Sequence, residues 1–165
     1  MKRLLHGLAI ILLIGVLAAC GPQRQSVFPP TLSIQQMRLQ PDGTWELTLR
    51  FQNNSYTGMD YQSLEGQLQV AQGIPVRLHA KFDLDVPSFA ADVIQVSVLP
   101  TTEMSKALQA VSAKGSAGSL AYTIRGIVHC MPNLEDHPDN KNPRDFPFKH
   151  DDFLSPVPGI ANTYR

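Results

Sequence analysis

From Trp45 onward, apolar and polar residues alternate: Trp45, Leu47, Leu49 and Phe51 are interleaved with Glu46, Thr48, Arg50 and Gln52. Successive side chains of a strand point to opposite faces, so this period of two predicts a strand with one face inward and one in water. Leu32 to Leu39 is also strand-like, and Pro41-Asp42-Gly43 between the two is turn chemistry, with Pro presetting φ and Gly accepting φ > 0. The phase slips between Ile34 and Met37, as at a bulge or a change of sheet. A further strand carries Leu64, Leu68 and Val70, with Gly66 on the same face, and ends at Gln72-Gly73. The next turns Val76, Leu78, Ala80, Phe82, Leu84 and Val86 inward and Arg77, His79, Lys81, Asp83 and Asp85 outward. Pro87 stops it, because proline cannot donate to a ladder. Ile94, Val96 and Val98 form a short strand before Pro100.

Between Thr101 and Ala113 the period changes to three and four, through Met104, Ala107, Leu108 and Val111. One short helix is predicted, capped by Thr101 or Thr102, with Glu103 at the positive end of the dipole and Lys114-Gly115 at the exit. Gly115 to Ser119 reads as a link. Leu120, Tyr122, Ile124, Val128 and Cys130 then share the inward face of another strand. From Met131 the chain is rich in Pro, Asn and Asp, with Phe146, Phe148 and Phe153 as apolar handles. A surface excursion over Pro132 to Arg144, a final extended piece from Phe146 to Leu154 and an irregular terminus are expected. About seven strands and one helix predict a mainly β protein, a small antiparallel sandwich over 31–130 with a C-terminal extension over 131–165.

The hydrophobic pattern of the first twenty residues is different in kind. Lys2-Arg3 precedes a nearly unbroken apolar run from Leu4 to Leu17, and Leu17-Ala18-Ala19-Cys20 closes it. The run is short for a membrane span, which needs roughly 20 apolar residues, and suits an export h-region of about 7 to 15. It resembles a bacterial lipoprotein signal peptide with its lipobox. That resemblance implies removal of residues 1–19, diacylglyceryl and acyl chains on Cys20, and, from Gly21 in place of Asp, an outer-membrane destination facing the periplasm. Two or more chains make such an anchor practically permanent. Residues 20–30 would then be a lipidated cysteine and tether, ten residues reaching at most about 33 to 36 Å beyond Cys20.

Charge narrows the function classes. The chain has 14 Lys and Arg against 14 Asp and Glu; losing Lys2 and Arg3 leaves 12 basic residues and no basic block, so nucleic-acid binding is not expected. With Cys20 acylated, Cys130 is the one remaining thiol, so no disulfide frames the fold. Glu135-Asp136-His137-Pro138-Asp139-Asn140 and His150-Asp151-Asp152 offer oxygen and imidazole ligands, but neither has EF-hand or zinc spacing, and both are expected to be solvated rather than metal sites. No G-x-S-x-G elbow is present; Gly115-Ser116-Ala117-Gly118-Ser119 places its serines at other steps. No catalytic, cofactor or metal residues are therefore predicted. The outward stripe Arg77, His79, Lys81 is the candidate binding surface, facing anionic lipid or polysaccharide, although Asp83 and Asp85 continue it with opposite charge.

The segments Leu47-Thr48-Leu49-Arg50-Phe51-Gln52-Asn53-Asn54-Ser55, Met59-Asp60-Tyr61, Leu64-Glu65-Gly66-Gln67-Leu68 and Gly73-Ile74-Pro75-Val76 resemble the late-embryogenesis-abundant type 2 family, the water-stress and hypersensitive-response (WHy) domain. Asn53-Asn54 stands where that family has Asn-Pro, and the similarity covers roughly 31–98. It implies an immunoglobulin-like or fibronectin-like sandwich without a catalytic centre, Asn53 as a turn residue, and a link to desiccation and other stress. The expectation is a monomeric, membrane-anchored envelope protein acting by binding or shielding. An accessory subunit of an envelope or transport assembly is the alternative; an enzyme is a remote third.

Overall fold

The computed structural model describes residues 27–133 and 142–165. Eight strands form two four-stranded antiparallel sheets: β1 (Thr31–Leu39), β2 (Trp45–Gln52), β5 (Ala91–Val98) and β8 (Thr163–Tyr164) in the order β5-β2-β1-β8, and β3 (Gly58–Val70), β4 (Val76–Val86), β6 (Leu120–Asn133) and β7 (Arg144–Leu154) in the order β4-β3-β6-β7. One helix, α1 (Thr102–Ser112), and a 3-10 turn at Gly115–Ala117 connect β5 to β6. This is the β-sandwich that the alternation predicts, with eight strands in place of seven.

The alternating residues fill the space between the sheets. Trp45, Leu47, Leu49 and Phe51 of β2 are each fully buried and meet Tyr61, Leu64, Leu68, Ile124 and Val128 from the facing sheet in one core. The predicted slip in β1 is a bulge between Ile34 and Gln36, and a second bulge lies between Tyr61 and Ser63 in β3. At the β1–β2 turn Asp42 Oδ1 accepts from the Thr44 amide at 2.9 Å and its hydroxyl at 2.6 Å, and Gly43 takes φ +87°. Thr101 caps α1, its hydroxyl accepting from the Met104 amide at 3.2 Å, and Met104, Leu108 and Val111 are the buried stripe.

Three expectations from the sequence change. The excursion predicted over Pro132 to Arg144 is shorter, because β6 continues to Asn133 and β7 begins at Arg144; residues 134–141, with Glu135, Asp136, His137 and Asp139, lie outside the described residues. Phe153 is an exposed residue of β7, not an anchor, since it falls on the opposite face from Phe148 and Leu154. The terminus is ordered: Thr163 and Tyr164 pair with Arg38 and Met37 of β1, and both are buried.

At one end of the sandwich the β2–β3 and β4–β5 connections are tied together by Asn53, which is fully buried. Its side-chain amide donates to the carbonyls of Thr57 (2.8 Å), Val86 (3.0 Å) and Pro87 (3.1 Å), and its Oδ1 accepts from the Ser55 amide at 2.8 Å. Ser88 Oγ adds a bond to the Ser55 carbonyl at 2.9 Å. Asn53 is thus a turn residue, satisfied on both ends of its amide.

Candidate functional site

The outward face of the β4-β3-β6-β7 sheet carries the residues singled out as a binding stripe. Arg77 and His79 project from β4, and the cross-strand register sets them beside partners on the other three strands. Arg77 pairs with Gln67, Gln67 with Arg125 and Arg125 with Lys149; in the next outward row His79 pairs with Glu65, Glu65 with Ile127 and Ile127 with Pro147. Strands lie about 4.8 Å apart, so three cations and one amide stand in a line about 14 Å long. Between these rows runs Leu78–Gly66–Gly126–Phe148.

The two glycines shape the surface. A Cβ on Gly66 would stand 2.5 Å from the Arg125 carbonyl oxygen, and one on Gly126 would stand 2.2 Å from that of Glu65. Neither distance admits a side chain, so the strands cross at a closeness that only glycine permits. At this crossing the sheet holds an open cleft of about 920 Å³, lined by Glu65, Gly66, Gln67, Arg77, Leu78, His79, Arg125, Gly126, Ile127, Phe148 and Lys149. Lys81, the third residue of the predicted stripe, is not among them; it pairs with Ser63, beside the β3 bulge.

The electrostatics of the cleft are unbalanced. Arg125 Nη2 donates to Gln67 Oε1 at 3.2 Å, and among the described residues neither Arg125 nor Arg77 has a carboxylate at ion-pair distance. Lys149 lies 3.0 Å from Asp151, whose carboxyl is held below its usual range first by the Thr123 hydroxyl and then by Lys149. His79 Nδ1 is 3.8 Å from Glu65, both side chains more than half exposed, a pairing that water screens. Arg125 and Lys149 stand directly opposite each other, and like charges so placed across two strands repel. An anion seated over them would relieve that repulsion. Sequence reasoning found Arg77 and His79 because they alternate on one strand; Arg125 and Lys149 appear singly on theirs, and only the register brings them together.

The other sequence candidates come together only in part: His150 Nε2 lies 3.5 Å from Asp152. His150 lies partly covered, with its ring 6.2 Å from that of Tyr122, while Asp151 projects on the opposite side of β7 to bond Thr123. Among the described residues no group of three or more His, Cys, Asp and Glu is placed to hold a metal. Cys130 is fully buried, and burial, with Asp145 adding and Arg144 opposing, pushes its thiol up to about 12. Cys20 lies outside the described residues, and among those described no helix is long and apolar enough to cross a membrane.

No family model matches the chain. No curated protein matches it either. Among solved structures it is similar to a structural-genomics target at 8% identity, over 80% of this chain and 89% of that one, with a TM-score of 0.47. It is also similar to a crystal structure described as the putative ApaA protein of Bordetella pertussis, at 15% identity over 82% and 100%, with a TM-score of 0.45. A protein of Arabidopsis thaliana solved in solution gives 8% identity over 86% and 87%, with a TM-score of 0.43. Likenesses this weak carry nothing about what the chain binds.

Proposed function

We propose that the chain is a non-catalytic protein of the bacterial cell envelope, held on the periplasmic side of the outer membrane by acylated Cys20, whose sandwich binds and shields anionic envelope material under water stress in the manner of a WHy domain. The observation that carries the binding role is the cross-strand row Arg77, Gln67, Arg125, Lys149 beside the glycine crossing. Two arginines in line without a carboxylate at ion-pair distance, beside a lysine shared with Asp151, suit a polyanion, because phosphates or carboxylates in line can answer them. What supports the anchor is Leu17-Ala18-Ala19-Cys20 at the end of the apolar run.

Two measurements test this. The mass of the amino-terminal peptide from cells should show a diacylglyceryl and acyl chain on Cys20, and Cys20→Ser should release the protein from membranes; an unmodified thiol overturns the anchor. Arg77→Gln with Arg125→Gln should weaken retention on a polyanion matrix and reduce the activity that a test enzyme keeps after drying in its presence, with the melting temperature unchanged. Equal retention and equal protection by the double variant would overturn the binding role. A second role, as an accessory subunit of an envelope assembly, draws on β7, an eleven-residue strand at the end of its sheet that pairs on one side with β6. Such an edge can accept a strand from a partner.

A further inference from the structure

Three aromatic side chains are exposed together at the end of the sandwich where the chain from Cys20 arrives. Phe28, Tyr56 and Phe89 are 44%, 60% and 57% exposed. The rings of Phe28 and Tyr56 are 6.3 Å apart, and those of Tyr56 and Phe89 are 4.8 Å apart and nearly perpendicular. They come from the segment before β1 and from the β2–β3 and β4–β5 connections, so no single periodicity accounts for the cluster.

Each ring sits on backbone that is held in place. The Phe28 amide donates to Ser55 Oγ at 2.9 Å, and the same hydroxyl donates back to the Phe28 carbonyl at 3.1 Å. Tyr56 follows Ser55 within the loop that Asn53 fixes. Phe89 lies in the turn closed by the Ala90 amide on the Pro87 carbonyl at 3.1 Å, and its own carbonyl accepts from Gln52 Nε2 at 3.1 Å. Its φ of +57°, at the third position of that turn, is one where glycine or asparagine is the unstrained choice. A bulky residue there is an outlier in backbone terms. A turn that strains its backbone while exposing a phenylalanine ring is consistent with a surface use for that ring.

The occupant follows from chain length. Phe28 is eight residue steps from Cys20, which at full extension is at most about 29 Å. An acyl anchor at Cys20 therefore keeps this end of the sandwich, rather than the other, within reach of lipid. Tyr56 has the flat apolar body and polar edge favoured at the water–lipid interface, and the wholly apolar rings of Phe28 and Phe89 beside it gain by leaving water for the acyl boundary. At the same end Asp85 lines a small cleft with Tyr56, Ser88 and Asn133, so the described carboxylate there opposes attraction to anionic headgroups. Ring insertion, not charge, is the contact that fits.

We infer that Phe28, Tyr56 and Phe89 form a lipid-contacting platform that lays this end of the sandwich on the bilayer carrying the anchor; the inference rests on acylation of Cys20. With that end down, the cationic row lies on a side wall of the body, turned along the membrane.

The test uses the full chain, acylated in cells and reconstituted into phosphatidylcholine vesicles brominated near the headgroup end of the acyl chains. Trp45 is fully buried and supplies a constant background. Tyr56→Trp should show blue-shifted, bromine-quenched emission that persists in high salt and weakens when Phe89→Ser is added. Leu99→Trp, 74% exposed at the far end of β5, should show neither effect. Acylated protein whose Tyr56→Trp probe is unquenched would overturn the platform and leave the anchor standing. Peptide mass showing a bare Cys20 would remove the anchor and the platform with it. Quenching abolished by salt would assign the lipid contact to cations, and a blue shift that depends on protein concentration without vesicles would assign the cluster to a second copy; either result overturns the platform.

Discussion

Cys130 shows how one buried side chain sets a pH limit. The alternation on β6 turns it inward, and there it pairs across the ladder with Tyr61, whose hydroxyl is also buried. Burial disfavours the thiolate, so the folded pKa of about 12 lies above the ordinary 9.0. In the unfolded chain the proton leaves near pH 9, while in the fold it stays until about 12; stability from this group is therefore complete below pH 9 and falls as pH rises through that window. Burial likewise raises Tyr61 above its usual 10.0 and adds to the loss in the same direction. The expected outcome is that Cys130→Ala flattens part of the decline in urea midpoint between pH 9 and 11. A second readout is that the native thiol resists alkylation at pH 8 until the chain unfolds. The inward placement of Cys130 was legible in the sequence. The four hydrogen bonds of Asn53 were not, because their partners on Thr57, Val86 and Pro87 are backbone carbonyls brought near only by the crossing of two connections.

Among the elements, β3 and β6 are coupled most tightly, paired from Gly58–Asn133 to Val70–Tyr122. Their close crossing at Gly66 and Gly126 leaves no room for a methyl group. Gly126→Ala should separate the strands and lower stability by about 1 to 3 kcal/mol, as overpacking does, seen as a lower urea midpoint and loss of polyanion retention; unchanged values would mean that the strands can part at no cost. The strands whose alternation is unbroken, β2 and β4, were read from sequence over nearly their whole length. The first half of β3 was not. Met59 and Tyr61 point inward, but the bulge before Ser63 shifts the phase so that Leu64, three residues after Tyr61, is next inward. A period of two that skips a beat looks like a loop until the partner strand is known. The start of β7 was hidden for a related reason: Arg144 and Asp145 are exposed, and Asp145 is held by His129 at 2.6 Å rather than by any apolar contact. Two of the three cations of the row, Arg125 and Lys149, escaped notice in the same way, since register is a property of pairs of strands.

At the scale of the whole molecule, the last residues close the structure. Tyr164 packs into the core and its hydroxyl meets that of Ser112 at the end of α1, while the Leu39 amide donates to the Asn162 carbonyl at 2.9 Å and Ser155 and Arg165 exchange backbone bonds at 2.7 and 2.9 Å. Removing residues 155–165 uncovers Met37 and one side of β1 and deletes a buried tyrosine worth about 2 to 3 kcal/mol. A melting temperature lower by about 10 °C is expected, followed by the emission of Trp45; an unchanged midpoint would show that this closure is ornamental. The pairing of β8 with β1 also fixes when the molecule can be finished. A chain delivered amino end first exposes residues 37–39 of its first strand well before residues 162–164, which pair with them, have emerged. A stall in between leaves those amides and carbonyls open to a neighbour's strand, so residues 162–164 act as the stopper against chain-to-chain pairing there.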